Sequence, residues 1–486
     1  MNDSSPQTTG SEGEKGSWAE LFQGKRGLYS SLIIGGIAMH ATQILVIAII
    51  MPTIIGELGG AVYYTWAAML YTIGSIVGSS STGPVWSRFG ARKGYALGAG
   101  VFAVSTIACA LAPDMGFLIV ARGVQGWAGG LVAGGGTALI TSLFDARLRT
   151  RILAMSQGTF TVCHLGGPVV GGMFVAIGWW RGSFWLMAPF MVAFAVIAWL
   201  KIPDRLDTEA ERGRTPPFPF FRLATLAVGV CCVAATGPVS DAILRVVLIA
   251  AAFTLVALAF RLDHHASNKL FPSHALSIRA PIGLALWILT FHAMSQTSVT
   301  LFFPLLLQVV HQVSPWFLNF LTLTISFGWT VGTFGVSGWS GARERTALWS
   351  GTLLAFIALA VIAIVARMPG LEVLTGAAFM MGVGVGIYNV HLVARTMEGA
   401  AKGEQRTTAA ALSSVRSLGT AFGAAITGVI AHAAGLGDAT DPEAVGGAVT
   451  TVYTFCVIPM ALAALFMFRF LKVALPRVPR LATTGE

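Results

Sequence analysis

Charge is scarce in this sequence. Asp, Glu, Lys and Arg make up 11% of its 486 residues, and hydrophobic residues make up 55%, whereas an ordinary soluble domain is roughly 25% charged. That shortage excludes a soluble globular protein and identifies an integral membrane protein. Acids are missing where hydropathy is highest. All 21 lie in tails, loops or helix ends, and Glu57, Asp114, Asp241 and Glu372 come nearest to an apolar interior. Cysteine is also sparse. Cys109, Cys163, Cys231, Cys232 and Cys456 all fall inside apolar stretches without metal-ligand spacing, so neither a disulfide framework nor a metal site is expected.

Several motifs are absent as well. There is no HExxH, Walker or kinase-like pattern, which excludes an ATP-driven pump and a metalloprotease. Gly382 to Gly386 reads GVGVG, but no strand precedes it, so helix packing accounts for it better than a phosphate loop does. Neither catalytic residues nor a cofactor is expected. The first apolar run is too long for a cleavable signal peptide, and no small-residue cleavage site follows it.

What is present is length in apolar runs. A spanning helix needs about 20 mostly apolar residues, and fourteen stretches meet that requirement, in a plan of six, two and six. The expected fold is an all-α polytopic membrane protein. Its parts are a tail over 1–27, a six-helix bundle over 28–202, a linker over 203–219, two inserted helices over 220–261, a linker over 262–281, a second six-helix bundle over 282–471 and a tail over 472–486.

The net charge of +10 does not imply nucleic acid, because the cations sit in short loops between apolar stretches. With the amino terminus inside, Arg181, Arg245 and Arg367 fall outside the membrane and Arg122 and Arg416 within it, while all other Lys and Arg are cytoplasmic. This bias sets the orientation, an even number of spans then puts both termini in the cytoplasm, and the inner membrane is the expected location. A monomer in the lipid bilayer is expected.

The first apolar stretch carries a polar patch, MHATQ, and a related patch, FHAMSQ, lies 252 residues on. In each case the histidine, His40 or His292, precedes a proline, Pro52 or Pro304, by 12 residues. Gly90-Ala91-Arg92 returns as Gly341-Ala342-Arg343, and His164, Gly167 and Gly171 fall on Arg416, Gly419 and Gly423. Matches in order at one offset indicate two parallel repeats of six helices, an arrangement suited to rocking about a midplane site.

Three motifs carry further information. The loop Gly83 to Lys93 reads GPVWSRFGARK, with Gly83 and Gly90 around a turn and Arg88 and Arg92 facing the anionic leaflet. Arg122 and Gln125 lie three apart on one helix face, and Gly166, Gly167, Pro168, Gly171 and Gly172 cluster in the fifth helix. In this order the three stretches resemble the signatures of the major facilitator superfamily. The inserted pair makes the chain similar to that superfamily's fourteen-helix drug:proton antiporter branch. The resemblance implies roles in coupling and conformational change for Gly83, Arg88, Gly90, Arg92, Arg122, Gln125, Gly167 and Pro168, and the residues themselves add His164 and Arg416 as candidates for the same role.

The chain departs from that branch twice. Ser87 stands where the loop signature has an acid before its arginine, and Gln43 stands where the first helix usually has an aspartate. Carboxylates inside transporters carry protons and pair with organic cations, so a cation-for-proton exchanger is disfavoured. If protons are coupled, the candidates are His40, His164, His292 and His391, since a reference pKa near 6.5 suits a switch.

An ionisable group at mid-bilayer costs about 2.5 to 3.5 kcal/mol on insertion scales. Arg122 reads either as a latch to backbone carbonyls or as a coupling residue, and Arg416 either snorkels to the cytoplasm or contacts an anion. His40 with Gln43 and His292 with Gln296 each share a helix face. They form either a neutral binding site or polar contacts between helices. Trp287 and Phe291 offer stacking surface. The expected cargo is a small aromatic solute, neutral or weakly anionic. Export is slightly favoured over uptake of a vitamin-like nutrient such as riboflavin.

Overall fold

A computed structural model describes residues 19–203, 219–236, 239, 241–266, 269–336, 338–400, 405–436 and 441–474. Thirteen α-helices lie among them. They are α1 (Gly24–Leu58), α2 (Trp66–Ala110), α3 (Met115–Leu143), α4 (Ala146–Ala176), α5 (Arg181–Lys201), α6 (Phe220–Ala235), α7 (Ala242–His264), α8 (Pro281–Leu305), α9 (Pro315–Val336), α10 (Ala342–Val365), α11 (Leu371–Glu398), α12 (Gln405–Ala433) and α13 (Pro442–Ala474). Ten helical stretches among the described residues are long and apolar enough to cross a membrane. The molecule is a multi-pass membrane protein.

The second and third expected segments are joined in α2. A straight helix of its 45 residues would run about 68 Å at 1.5 Å per residue, roughly twice the hydrocarbon thickness. Gly90 breaks it, with φ 79° and ψ 161° inside the helix, a backbone region that glycine enters without the penalty of a Cβ. The chain folds back there. A Cβ on Gly129 of α3 would touch both Phe102 of the second arm and the Tyr71 hydroxyl of the first, so the two arms lie side by side along α3. We call the two ends of the bundle the Gly90 end and the Glu57 end.

Acids near the apolar segments serve helix ends. Asp114 accepts from Phe117 N at 2.8 Å at the start of α3, and Asp241 accepts from Ile243 N and Leu244 N at the start of α7. Each satisfies otherwise unpaired amides and complements the helix dipole. Glu57 pairs with Arg181 and accepts from Trp180 Nε1 at 2.6 Å.

Glycine seams set the close packing. On α2, Gly74 and Gly78 face the carbonyls of Gly123 and Trp127 of α3, and in return Gly126 and Gly130 face those of Tyr71 and Ser75. A Cβ at any of the four would lie within 2.3 Å of a carbonyl oxygen, so the backbones approach as only small residues allow. The second half repeats the device. Gly328 and Gly332 of α9 face Phe379 and Val383 of α11, while Gly382 and Gly386 face Ile325 and Trp329. The GVGVG run is thus a packing face, and its central Gly384 meets Gly351 of α10.

The contacts between halves respect the sequence repeat. Across the seam α1 meets α8, α2 meets α12 and α4 meets α9. Exchanging each helix for its repeat partner (α1 with α8, α2 with α9, α4 with α12) maps these contacts onto themselves, which is the property of a pseudo-two-fold axis. The inserted α6 and α7 pack on each other, and α6 leans on α12 and α2. Arg222 of α6 and Asp263 of α7, both buried, form an ion pair at 2.5 Å. Asp263 also accepts from Leu270 N at 2.8 Å and Phe271 N at 3.1 Å, tying the second linker to this pair.

Candidate functional site

In the first half, the glycine seam carries Tyr71 and Ser75 of α2 to the polar patch of α1. The Tyr71 hydroxyl lies 2.8 Å from His40 Nδ1 and Ser75 Oγ lies 3.3 Å from His40 Nε2, so both ring nitrogens are engaged. The two rings stack with centroids 5.6 Å apart. One turn along α1, Gln43 meets Arg122 of α3.

Arg122 is fully buried. Its Nη1 donates to Gln125 Oε1 at 2.6 Å and Gln43 Oε1 at 3.4 Å, and its Nη2 to the Gln43 carbonyl at 3.1 Å. Its guanidinium carbon sits 4.1 Å from the centre of the Tyr71 ring. Gln125 Nε2 is anchored in turn to Thr106 Oγ1 of the second arm of α2 at 2.8 Å. No ion pair involves Arg122 among the described residues. The cation is instead held by amide dipoles and an aromatic face, which stabilise a desolvated guanidinium without neutralising it. Arg122 does latch onto a backbone carbonyl, that of Gln43 in α1, and also holds the Gln43 and Gln125 side chains.

In the second half His292 Nε2 lies 3.1 Å from Gln296 Oε1. The His292 ring meets Tyr388 of α11 edge to face at 5.5 Å. His292 Nδ1 and the Tyr388 hydroxyl are buried and have no hydrogen-bond partner among the described residues. Arg416 of α12 is exposed and donates to Asn389 Oδ1 at 3.2 Å. His391 contacts the Val336 carbonyl at 3.1 Å.

A cavity of about 70 Å³ lies on the seam. Its walls are Leu45, Ala48 and Ile49 of α1, Gln296 and Phe303 of α8, and Ser326 and Trp329 of α9, among others. It is smaller than the roughly 300 to 1,000 Å³ of drug-sized sites. The halves touch at the Glu57 end. Tyr64 donates to the Leu301 carbonyl at 2.7 Å and stacks on Phe302 at 5.1 Å, and Thr65 abuts Gly428. At this end the seam is shut by aromatic packing and a hydrogen bond from the Tyr64 hydroxyl to a main-chain carbonyl.

Of the residues singled out in the sequence, the structure brings His40, Gln43, Arg122 and Gln125 into one buried group. It keeps His292 and Gln296 together in a second, and only Gln296 of these six lines the cavity. Trp287 and Phe291 differ from expectation. They stack on each other at 5.4 Å, but Phe291 continues to Phe466 of α13 and Trp287 Nε1 donates to the Leu276 carbonyl at 3.2 Å. They pack at the bundle's side because that face of α8 turns toward α13.

Gly83 and Arg88 are exposed at the Gly90 end, where the Arg88 guanidinium lies 5.8 Å from the Phe89 ring and that of Arg92 5.8 Å from Trp199 of α5. Gly167 and Gly171 admit α4 close to Leu45 and Ile49 of α1. The side chains of His164 and Pro168 lie outside the described residues. Ser75 and Thr106, which complete the buried network, escaped the sequence reading because lone hydroxyls in apolar helices give no periodic signal.

Comparison with known proteins bears on this arrangement. The profile of the Major Facilitator Superfamily matches residues 32–424. A protein of Mycobacterium tuberculosis H37Rv named as a probable multidrug-efflux transporter is 31% identical over 437 residues, covering 87% of this chain and 91% of that one. An efflux pump of Dothistroma septosporum is 26% identical over 288 residues, 57% of this chain and 48% of the pump. Among solved structures, a bacterial homologue of the human lysosomal transporter Spinster, inward-facing and unoccupied, superposes with a TM-score of 0.69 at 14% identity over 93% of this chain and 98% of that one. A D-xylose-proton symporter gives 0.63 at 13% identity over 92% and 98%.

Proposed function

The chain belongs to the major facilitator superfamily and is a secondary transporter rather than an enzyme; from that premise we propose that it exports a small aromatic solute, neutral or weakly anionic, by alternating access. The fold that goes with this proposal has fourteen spans with both termini in the cytoplasm, and the protein acts as a monomer in the inner membrane. The observation that carries the cargo reading is the way Arg122 is held. Gln43, Gln125 and Tyr71 surround its guanidinium, and no carboxylate takes part among the described residues. A site without a mid-membrane acid offers an organic cation no partner and leaves the centre polar but not negative.

The closed Glu57 end supports alternating access. Tyr64, Thr65, Phe302 and Gly428 meet there across the pseudo-two-fold seam. A rocking motion about this seam opens one end only as it closes the other. The names of the curated relatives, a probable multidrug-efflux transporter and an efflux pump, favour export over uptake.

The test is flux in proteoliposomes under an imposed pH gradient, alongside energised cells preloaded with aromatic solutes. Energy-dependent loss from the cells is expected. Energy-dependent gain would overturn export. Strong preference for organic cations in either assay would overturn the cargo reading.

A further inference from the structure

The buried group around Arg122 leaves no opening for a ligand, but the second half holds an arginine of a different kind. Arg416 is exposed although it sits within the apolar stretch Ser414–Ala433. Hydrocarbon does not tolerate a bare guanidinium, and Arg416 bonds Asn389, the chain neighbour of Tyr388, whose ring packs on His292; the Tyr388 and His292 side chains are both buried in the bundle interior. Its helix, α12, lies on the seam against α2. An exposed side chain on this helix, bonded inward to α11, is placed to meet the space between the halves.

Among the described residues it bonds to the neutral Asn389. The helices around it supply no negative charge, since α8 and α12 contain no acid and α11 has only Glu372 and Glu398 at its ends. Tyr388 immediately precedes Asn389 in α11, and its hydroxyl, like His292 Nδ1, is buried without a partner among the described residues. With Nε2 directed at Gln296 Oε1, that second nitrogen is left to accept. An exposed guanidinium held by a neutral amide, near a hydroxyl without a partner among the described residues, matches the planar fork of an incoming carboxylate.

We infer that Arg416, Asn389 and Tyr388 form a docking subsite for the carboxylate of an organic acid, with the acid's apolar body directed toward the seam. The guanidinium binds the carboxylate through two parallel N–H donors. Asn389 holds the fork in place, and the Tyr388 hydroxyl turns to donate a further hydrogen bond. The inference rests on the transporter reading above and narrows its cargo to aryl carboxylates. Gln43 and Arg122 take no part in the subsite.

The test uses the full-length protein in lipid nanodiscs with 2-naphthoate and the uncharged 2-naphthamide, read by thermal unfolding. Saturable stabilisation by 2-naphthoate is expected, with the amide at least about tenfold weaker. Arg416→Gln removes the preference, Arg416→Lys keeps part of it, and Tyr388→Phe weakens 2-naphthoate a few-fold. Should Arg416→Gln fail to fold, Arg416→Lys and Asn389→Leu carry the comparison, each with a reduced preference. Equal response to acid and amide, no response to either, or an unchanged preference in the Arg416 variants overturns the subsite. Counterflow of labelled 2-naphthoate in proteoliposomes separates the two readings. Arg416-dependent binding without counterflow leaves the subsite and removes transport of this compound, whereas counterflow that persists in Arg416→Gln removes the subsite and leaves transport.

Discussion

Arg122 donates to the main-chain carbonyl of Gln43 at 3.1 Å as well as to its side chain at 3.4 Å. The first helix is therefore bound to the fourth expected segment through an atom that no substitution at position 43 removes. The side-chain contact is the adjustable part. In Gln43→Asp a carboxylate comes within reach of the guanidinium and supplies the missing counter-charge. We expect flux in this variant to acquire a dependence on an imposed pH gradient and to admit organic cations. Paired proteoliposome assays with and without the gradient check this.

Arg122→Lys retains the charge but loses the planar fork that serves Gln43 and Gln125 together. The buried amides of both glutamines then lack a full set of partners, at a cost of about 1 to 3 kcal/mol. Transport should fall about tenfold or more, together with a lower unfolding temperature. A variant with wild-type flux and melting would show that the latch is dispensable.

The two histidines should behave differently. His40 has both ring nitrogens engaged within its own half, so His40→Ala should chiefly lower stability. His292 has one nitrogen without a partner among the described residues and lies beside cavity-lining Gln296, so His292→Ala should raise the half-saturation concentration for transport a few-fold with little change in melting. Binding and flux unaffected in both would remove the polar patches from the site.

Gly126→Leu tests the seam. Even a Cβ at this position would lie 2.0 Å from the Tyr71 carbonyl oxygen, which forces α2 away from α3. Overpacking of this kind costs typically about 1 to 3 kcal/mol, and because Tyr71 moves with α2, its contacts to His40 and Arg122 should be lost too. Thermal unfolding and flux should decline together.

The buried pair Arg222 and Asp263 offers a control away from the cargo path. Asp263→Ala leaves a buried guanidinium without its carboxylate and removes the acceptor of two linker amides, a change that costs roughly 3 to 5 kcal/mol for a broken buried pair. Lower stability is expected, and any protein that folds should keep its cargo preference. A changed preference would place the inserted helices in the transport path.

Much of the fold was legible without coordinates. The repeat at His40 and His292 anticipated the self-mapping contacts of α1 with α8, and the Gly167 and Gly419 correspondence anticipated two equivalent crossings, α4 on α1 and α12 on α8. The site was legible only in part. Trp287 and Phe291 have the chemistry of a stacking surface, yet Phe291 packs on Phe466 of α13 and Trp287 bonds the Leu276 carbonyl, whereas Tyr71 and Ser75 hold His40 and were not expected there as a pair.

The sequence by itself determined that the protein is a membrane-embedded bundle of helices in two related halves, with no acid in its apolar centre. These properties follow from composition, run length and spacing, which a chain carries whatever its tertiary packing. Only the tertiary structure decided which side each polar residue faces. A helix apolar around its whole circumference has no amphipathic stripe to reveal its orientation. Here orientation is set by glycine seams that let backbones meet at carbonyl distance. The packed structure places Gln43 on Arg122, sets Tyr64 against Phe302, and leaves Arg416 exposed beside Asn389.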